Sequence, residues 1–350
     1  MDFLQEALER QATDLHVEAG GRAAIRSLGK IIPFASCGEE AFQALLVRLA
    51  THATVDISIV DNIGEKVKDF SSTVPDIGRV RVRCYRSQNR QCLAIRFLPE
   101  HIPSPDELRW PLSLRSLCSM KQGLILVTGA SGSGKSTTLA ALIEQINSQR
   151  PCHILTFESP VEYVFHNQRA LIHQCAVPED VPSFSRGAQD ALRMDADVVM
   201  LGELVDLETM RAALKLAESG HLVLATMHPG SAAEAVGYFL NHFPAHEHPL
   251  VCHQLAAVLQ AVVSQRLLLH CREDRWVSAY ELLLRNTAVA RQIREQDFSQ
   301  LLASMELGRS EGMILLEDQL ASLVKNKEVC LAEALATANA PERLKQLLRQ

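Results

Sequence analysis

The stretch Gly129–Ser136, with the sequence GASGSGKS, decides the fold of this chain. It matches the pattern GxxxxGK[ST], follows the apolar segment Leu124–Thr128 and precedes a helical pattern over Thr137–Ile146. A glycine-rich turn between a strand and a helix directs successive backbone N–H groups at phosphates, and the positive end of the helix adds to the attraction. This context predicts a nucleotide-binding P-loop.

The P-loop pattern assigns a role to its side chains. Lys135 is expected to contact the β- and γ-phosphates of ATP, and the hydroxyl of Ser136 is expected to complete the coordination shell of Mg²⁺. ATP and Mg²⁺ are therefore the predicted cofactors. The predicted nucleotide-binding residues are Gly129, Ala130, Ser131, Gly132, Ser133, Gly134, Lys135, Ser136 and Thr137.

From Leu124 onward, apolar segments alternate with helical patterns. Such alternation predicts an α/β domain with a parallel sheet that is buried on both faces. From about Pro249 the pattern favours helices, because Leu255, Val258, Leu259 and Val262 follow helical spacing. The predicted strands are Leu124–Thr128, Ile154–Phe157, Val198–Leu201 and Leu222–Thr226.

Three side chains follow the predicted strands at the sheet edge where parallel sheets bind ligands. Glu203 comes after Val198–Leu201, and Glu158 comes directly after Ile154–Phe157. A carboxylate at this edge can orient or deprotonate the attacking water, which makes hydrolysis more plausible than binding alone. His228, after Leu222–Thr226, is predicted to sense the γ-phosphate or to fix a neighbouring carboxylate; a purely structural histidine is the alternative.

Four prolines mark a connector over residues 99–117, because proline fixes φ and removes a backbone donor. The connector separates an N-terminal domain over 1–98 from an ATPase domain over 118–350. The N-terminal domain is predicted to be a small α+β domain whose sheet has one face rich in arginine. Its predicted elements are helices Phe3–Ala12 and Glu40–Leu49, a strand at Ala24–Arg26, and a hairpin of Gly78–Tyr85 with Gln91–Leu98.

Bulk composition limits the classes of partner. The formal charge is −6, from 35 basic and 41 acidic residues, so it gives no support for direct binding of nucleic acid. Nine cysteines form no CxxC pair, which predicts free thiols in a reducing cytoplasm rather than a zinc site or a disulfide framework. Met1–Arg10 lacks the pattern of a secretory signal, and no apolar run is long enough to span a membrane.

These elements, in this order, resemble the GspE/PilT secretion ATPase superfamily, and within it the PilT-like type IV pilus retraction ATPases. The similarity covers nearly the whole chain. It rests on Asp14–His16 (DLH), the arginine-bearing hairpin Gly78–Leu98, Thr156–Tyr163 (TFESPVEY), Asp197–Asp206, Glu218–His228 (ESGHLVLATMH), Val262–Leu268 (VVSQRLL) and Ala288–Glu295 (AVARQIRE).

The resemblance implies a RecA-like P-loop domain, preceded by a PAS-like N-terminal domain and followed by C-terminal helices. It also implies a homo-hexamer in which Arg81 and Arg96 of one subunit complete the nucleotide site of the next, since an arginine fork stabilises charge on phosphoryl oxygens. Without the resemblance, these arginines suit a solvated strand face. The implied location is cytoplasmic, at the cytoplasmic face of the inner membrane. There a pilus platform protein is the implied partner, and retraction drives twitching motility.

Three positions depart from the family pattern. Ser159 follows Glu158 where an acidic pair is usual, Val205 stands where arginine is usual, and Met194 stands where glutamate is frequent. The departures leave open a catalytically weakened ring subunit that regulates an active paralogue. A pilus assembly or type II secretion ATPase is a further alternative, against which stand the short N-terminal region and the absence of a cysteine-based zinc insertion.

Overall fold

A computed structural model describes residues 2–53 and 68–349. The chain divides into two compact units, Met1–His101 and Ile102–Gln350. Residues 54–67, which belong to the predicted N-terminal domain, lie outside the described residues. Within the described part of the chain, no helix has the length and apolar character needed to cross a membrane.

The first unit contains a six-stranded antiparallel sheet in the order β3-β2-β1-β6-β5-β4. Helices α1 and α2 share one apolar core with this sheet. This arrangement confirms the predicted α+β class. The elements are α1 (Phe3–Glu9), β1 (Asp14–Glu18), β2 (Gly21–Ser27), β3 (Lys30–Cys37), α2 (Glu39–Thr51), β4 (Lys68–Val74), β5 (Gly78–Ser87) and β6 (Arg90–Phe97).

Strand β5 shows why the first sheet has an arginine-rich face. Val80, Val82 and Cys84 are fully buried, whereas the arginines between them are partly or fully exposed. Side chains of a strand alternate between the two faces of its sheet, so the apolar set faces the core and the arginines face outward. The structure confirms the predicted hairpin of β5 and β6.

The second unit contains a seven-stranded sheet in the order β13-β12-β7-β11-β10-β8-β9. Neighbouring strands are parallel except at the edge, where β13 is antiparallel to β12. The strands are β7 (Gly123–Thr128), β8 (His153–Glu158), β9 (Leu171–Ala176), β10 (Val198–Leu201), β11 (Leu222–Met227), β12 (Leu259–Leu269) and β13 (Trp276–Leu284). Ile314 extends the β13 edge by one antiparallel bridge to Leu282, with two backbone hydrogen bonds of 2.8 and 3.0 Å.

Helices cover both faces of this sheet. Helices α3 and α4 belong to the apolar core on one face, and α5–α10 belong to the core on the other. Helices α11–α13 share a smaller core with β12 and β13. The helices are α3 (Leu112–Ser116), α4 (Lys135–Gln149), α5 (Phe184–Ala191), α6 (Leu207–Glu218), α7 (Ala232–Asn241), α8 (His248–Val258), α9 (Thr287–Arg294), α10 (Leu301–Leu307), α11 (Leu316–Lys325), α12 (Leu331–Thr337) and α13 (Pro341–Arg349).

The prediction of one helical stretch through Val262 is wrong after Val258, where α8 ends and β12 begins one residue later. The cause is burial on both sides: Val262 packs into one core and Val263 into the other. A strand buried on both faces is a continuous apolar run, and periodicity alone does not separate such a run from a buried helix. The C-terminal third therefore contains a hairpin at its start as well as the predicted helices. Strands β1, β3, β4, β9 and β13 lacked a sequence prediction, and α1 ends at Glu9 rather than at Ala12.

The proline-rich segment is structured where it meets the second unit. Trp110 is 3% exposed and belongs to the apolar core that also contains the buried residues of α4. Ile102 and Leu108 pack against the same core.

We expect Phe239→Ala to lower the free energy of unfolding by about 3–5 kcal/mol, the usual cost of deleting a buried aromatic ring. Phe239 is fully buried in the apolar core, on helix α7, which packs against β12 and β13. The neighbouring Tyr238 is 37% exposed, so Tyr238→Ala is the matched control and should cost less than about 1 kcal/mol. Denaturant unfolding of the second unit measures both; equal costs would contradict the assigned orientation of α7.

Candidate nucleotide site

The candidate site lies along the carboxyl ends of four neighbouring strands. In the order β7-β11-β10-β8, these ends lead into the P-loop, His228, Glu203 and Glu158. Parallel strands bring their carboxyl ends to one edge, which is where open α/β sheets bind ligands. The topology therefore brings together the P-loop and the three side chains that the sequence predicts at the sheet edge.

The P-loop depends on glycine because β12 approaches it closely. Gly129 has φ 140° and Gly134 has φ 87°, which L side chains rarely adopt. A Cβ on Gly129 would lie 2.6 Å from the carbonyl oxygen of Gln265, and a Cβ on Gly134 would lie 2.7 Å from the Gln265 side-chain nitrogen. The absence of both Cβ atoms lets the loop close over the start of α4 with its N–H groups available to phosphate.

Lys135, the first residue of α4, is held over the loop. Its Nζ donates hydrogen bonds to the carbonyl oxygens of Gly129 (2.8 Å) and Ala130 (2.9 Å). Burial lowers the pKa of Lys135, and the carboxylates of Glu203 and Glu162 oppose that shift. The ammonium group is thus placed between the phosphate-binding loop and the acidic edge of the sheet.

Polar atoms around the loop suit a polyphosphate with its cation. The hydroxyls of Thr128 and Ser133 are buried, and neither has a hydrogen-bond partner within the described chain. Such groups are costly to bury unless a ligand or water satisfies them. The Ser136 side chain is exposed in the first turn of α4. The oxygen donors and the single lysine fit a nucleotide and the hard cation that accompanies it.

Glu203 contacts His228 across the ends of β10 and β11. His228 Nε2 pairs with Glu203 Oε1, and the two side chains are 53% and 33% exposed. The backbone on either side of Glu203 is fixed: Gly202 N donates to Phe157 O (2.8 Å), and Leu204 N donates to Thr226 O (2.9 Å). The sequence-based expectation that His228 fixes a neighbouring carboxylate agrees with this contact.

Glu158 lies at the same edge in a different environment. Its residue exposure is 7%, and Oε1 accepts hydrogen bonds from Thr156 Oγ1 (2.7 Å) and Gln174 Nε2 (3.0 Å). Burial raises the pKa of Glu158, while these hydrogen bonds act in the opposite direction. The more exposed Glu203 is therefore better placed to meet a water molecule, and Glu158 is better placed to support the site from beneath.

Three further residues shape the site without having been predicted. Gln265 of β12 accepts a 2.6 Å hydrogen bond from Thr138, Tyr163 pairs with Thr137 at 2.9 Å, and Gln174 of β9 holds Glu158. One signal was present for Gln265: it belongs to a short polar stretch, residues 264–266, between the apolar residues 261–263 and 267–269. The others come from segments whose proximity depends on the fold.

Arg81 and Arg96 lie side by side in the first unit, on β5 and β6. Arg96 Nε donates a 2.8 Å hydrogen bond to Asp14 Oδ1, and the hydroxyl of Thr13 donates to Asp14 Oδ2 (2.9 Å). The Asp14 side chain is 12% exposed and that of Arg96 is 59% exposed. An arginine anchored through Nε can turn its two terminal nitrogens outward, as bidentate recognition of phosphate requires.

The model of the family described as type II/IV secretion system protein matches residues 1–344. The chain belongs to that family. The chain is 34% identical to the type IV pilus retraction ATPase PilT of Pseudomonas aeruginosa, across 97% of this chain and 98% of that protein. It is 45% identical to the uncharacterized protein YggR of Escherichia coli over 71% of this chain and 76% of that protein. The solved structure of the pilus retraction motor PilT with bound ADP superposes with a TM-score of 0.85, at 36% identity, covering 98% of both chains. These matches confirm the predicted family and fold class.

We expect Lys135→Ala to weaken ATP binding by more than about tenfold, which corresponds to at least about 1.4 kcal/mol. The substitution removes the one side-chain charge that the loop directs at phosphate. Equilibrium binding of a fluorescent ATP analogue to the purified protein measures the loss. Lys121→Ala changes an exposed lysine just before β7 and should bind like the parent. Parent-like affinity of Lys135→Ala would sink the assignment of this loop.

We expect Glu203→Gln to keep nucleotide affinity and to lower kcat by about 100-fold or more, the scale of general-base catalysis. Glu158→Gln should also lower kcat, but by less, because its carboxylate is occupied by Thr156 and Gln174. Steady-state phosphate release measures both. Glu208→Gln, at an exposed position in the first turn of α6, is the control. Normal turnover of Glu203→Gln together with loss in Glu158→Gln would reverse the ranking.

Proposed function

We propose that this chain is an ATP-hydrolysing motor that powers type IV pilus retraction, and with it twitching motility. The observation that carries the proposal is the pairing of Glu203 with His228 beside the P-loop, in a chain similar to PilT from end to end. PilT is named a retraction ATPase, and its solved structure holds ADP. A P-loop alone is sufficient for nucleotide binding. Hydrolysis also requires a base, and the carboxylate of Glu203 at the same edge of the sheet can act as one.

The proposed roles follow the geometry. The backbone N–H groups of the P-loop and Lys135 bind and orient the phosphates, and transition-state charge on the γ-phosphoryl group falls near the ammonium group. Glu203 orients the attacking water and accepts its proton, while His228 holds the Glu203 carboxylate in place. Glu158, which accepts hydrogen bonds from Thr156 and Gln174, supports the carboxyl edge of the sheet. The hydroxyl of Ser136 would hold Mg²⁺, which when bound neutralises charge on the phosphates.

The proposed active unit is a homo-hexamer. In such a ring, Arg81 and Arg96 of one subunit would stabilise charge at the nucleotide site of the next. The anchoring of Arg96 by Asp14 supports the proposal, because the contact is made through Nε and the Arg96 side chain stays 59% exposed. An arginine supplied in trans makes hydrolysis depend on assembly, so a subunit outside a ring would turn over slowly.

The proposed load is an inner-membrane pilus platform protein, and the ring would act as a peripheral complex at the cytoplasmic face of the inner membrane. A conformational change on hydrolysis would turn or compress the platform so that pilus subunits leave the fibre. The formal charge of −6 gives no support for direct contact with nucleic acid. Loss of fibre retraction in cells lacking this chain, with fibres still assembled, is the cellular test.

A catalytically weakened regulatory subunit is the second candidate, favoured by Ser159 and Val205. Val205, two residues after Glu203, is a half-exposed apolar side chain where the family usually has arginine, so this position provides no cation for phosphate. Turnover by the purified ring separates the two candidates: a motor hydrolyses ATP by itself, whereas a regulatory subunit requires an active paralogue.

For the ring, we expect Arg96→Ala to leave each subunit folded and able to bind ATP while kcat falls by about 10-fold or more, because the γ-phosphoryl charge loses a partner. Arg83→Ala, on β5 in an exposed pair with Asp69, is the matched control and should turn over normally. The same measurement applies to Arg81→Ala. Phosphate release by size-selected rings gives the rates.

Mixing tests whether the arginine acts in trans. Rings that combine Arg96→Ala with Glu203→Gln subunits contain some interfaces with an intact Glu203 and an intact Arg96, and these should recover activity. Absence of recovery in rings whose mixed composition is verified by mass would mean that Arg96 acts within its own subunit or only supports the fold.

A further inference from the structure

The loop that carries His228 is fixed by side chains of the β12–β13 hairpin. Gly230 O accepts a 2.8 Å hydrogen bond from Ser264 Oγ and a second one from the guanidinium group of Arg266. Ala232 N, at the start of α7, donates to Glu281 Oε1 at 2.9 Å. Within four residues of His228, the backbone therefore has three anchors on one hairpin.

Glu281 also contacts the C-terminal helices. Its second oxygen, Oε2, accepts a 3.1 Å hydrogen bond from Asn339 Nδ2, in the connector between α12 and α13. The next residue, Ala340, donates its backbone N–H to Glu317 Oε1 of α11 at 2.8 Å. Glu281 and Glu317 are only 3% and 4% exposed. Two buried carboxylates thus accept hydrogen bonds from the α12–α13 connector, and one of them also accepts a hydrogen bond from the start of α7.

We propose that Glu281 is a positioning residue that couples helices α12 and α13 to the loop bearing His228. The proposal rests on the proposed roles of Glu203 and His228. One rigid carboxylate, with an oxygen on each side, bridges two segments that otherwise have separate packing: α7 belongs to the large core of the second unit, and α12 and α13 belong to the small C-terminal core. A displacement of the C-terminal helices changes the support of α7 and therefore the placement of His228 against Glu203.

The charge state of Glu281 affects the same coupling. Burial raises the pKa of Glu281 to about 7; the carboxylates of Glu317 and Glu234 add to the shift, and the Ala232 N–H and Arg266 oppose it. Two donors facing two oxygens is the arrangement of the ionised carboxylate, since a protonated oxygen becomes a donor itself. The coupling is therefore complete only well above about pH 7 and is lost as the pH falls through that value.

Amide exchange tests the contact without relying on catalysis. Asn339 is exposed, so Asn339→Ala removes the outer hydrogen bond and leaves the core intact. In the full-length protein without nucleotide, the rate of backbone amide exchange over residues 228–236 should rise by about threefold or more. This is the scale of modest coupling energies. Glu342→Gln, which alters an exposed pair with Lys345 on α13, should leave that exchange unchanged. Unchanged exchange in Asn339→Ala would overturn the proposal.

Turnover tests the consequence. Asn339→Ala should lower kcat by about threefold to tenfold and leave the KM for ATP within about twofold, because nucleotide contacts are untouched. Faster exchange with an unchanged kcat would overturn the positioning role. If Glu203→Gln hydrolysed ATP normally, the proposed function would fail, whereas the exchange result would still decide whether Glu281 couples the two segments.

The pH profile gives the last readout. Parent kcat should fall by about threefold as the pH drops from about 8 to about 6, and Glu281→Gln should lack that step. The glutamine has nearly the same shape and keeps an oxygen for Ala232 N, but its amide nitrogen cannot accept from Asn339 and does not titrate, so its coupling stays weak at every pH. Coincident pH profiles for the parent and Glu281→Gln would overturn the assignment.

Discussion

The close approach of β12 to the P-loop is the constraint on which the rest of the structure depends. Gln265 brings a backbone carbonyl and a side-chain amide so near to Gly129 and Gly134 that neither position has room for a Cβ. The same strand is parallel to β7 on one side and antiparallel to β13 on the other. The phosphate site, the sheet and the C-terminal hairpin therefore meet on one strand, and the geometry of each is tied to that of the others.

The two acidic residues of the sheet edge show how environment separates chemically identical groups. Glu158 is buried, and its neighbours Thr156 and Gln174 donate to it, so its position is fixed and its exchange with solvent is limited. Glu203 has a third of its side chain exposed, and its partner at this edge is the side chain of His228. Polar contacts to one carboxylate and solvent access to the other suit the separate roles proposed for them, a support and a base.

Much of the site could be predicted from the sequence, because the P-loop is a local pattern and strand ends follow from chain order. The same logic placed Glu158, Glu203 and His228 correctly along the edge. Prediction failed where the information is non-local. Val262 and Val263 face opposite cores, so their run carries no period that distinguishes a strand from a helix. The pairing of Arg96 with Asp14 joins residues that are 82 positions apart, and no local pattern encodes it.

The backbone bridge between Ile314 and Leu282 has a consequence for solubility. Edge strands present unpaired N–H and C=O groups that can recruit strands of other molecules, and proteins protect such edges with charge, bulges or covering segments. At β13 the two bonds of this bridge occupy part of the edge, and the C-terminal helices pack over the same strand. The proposed ring brings several copies of this chain close together. The covered edge disfavours pairing between their sheets, so that subunits contact one another through the surfaces that close the ring.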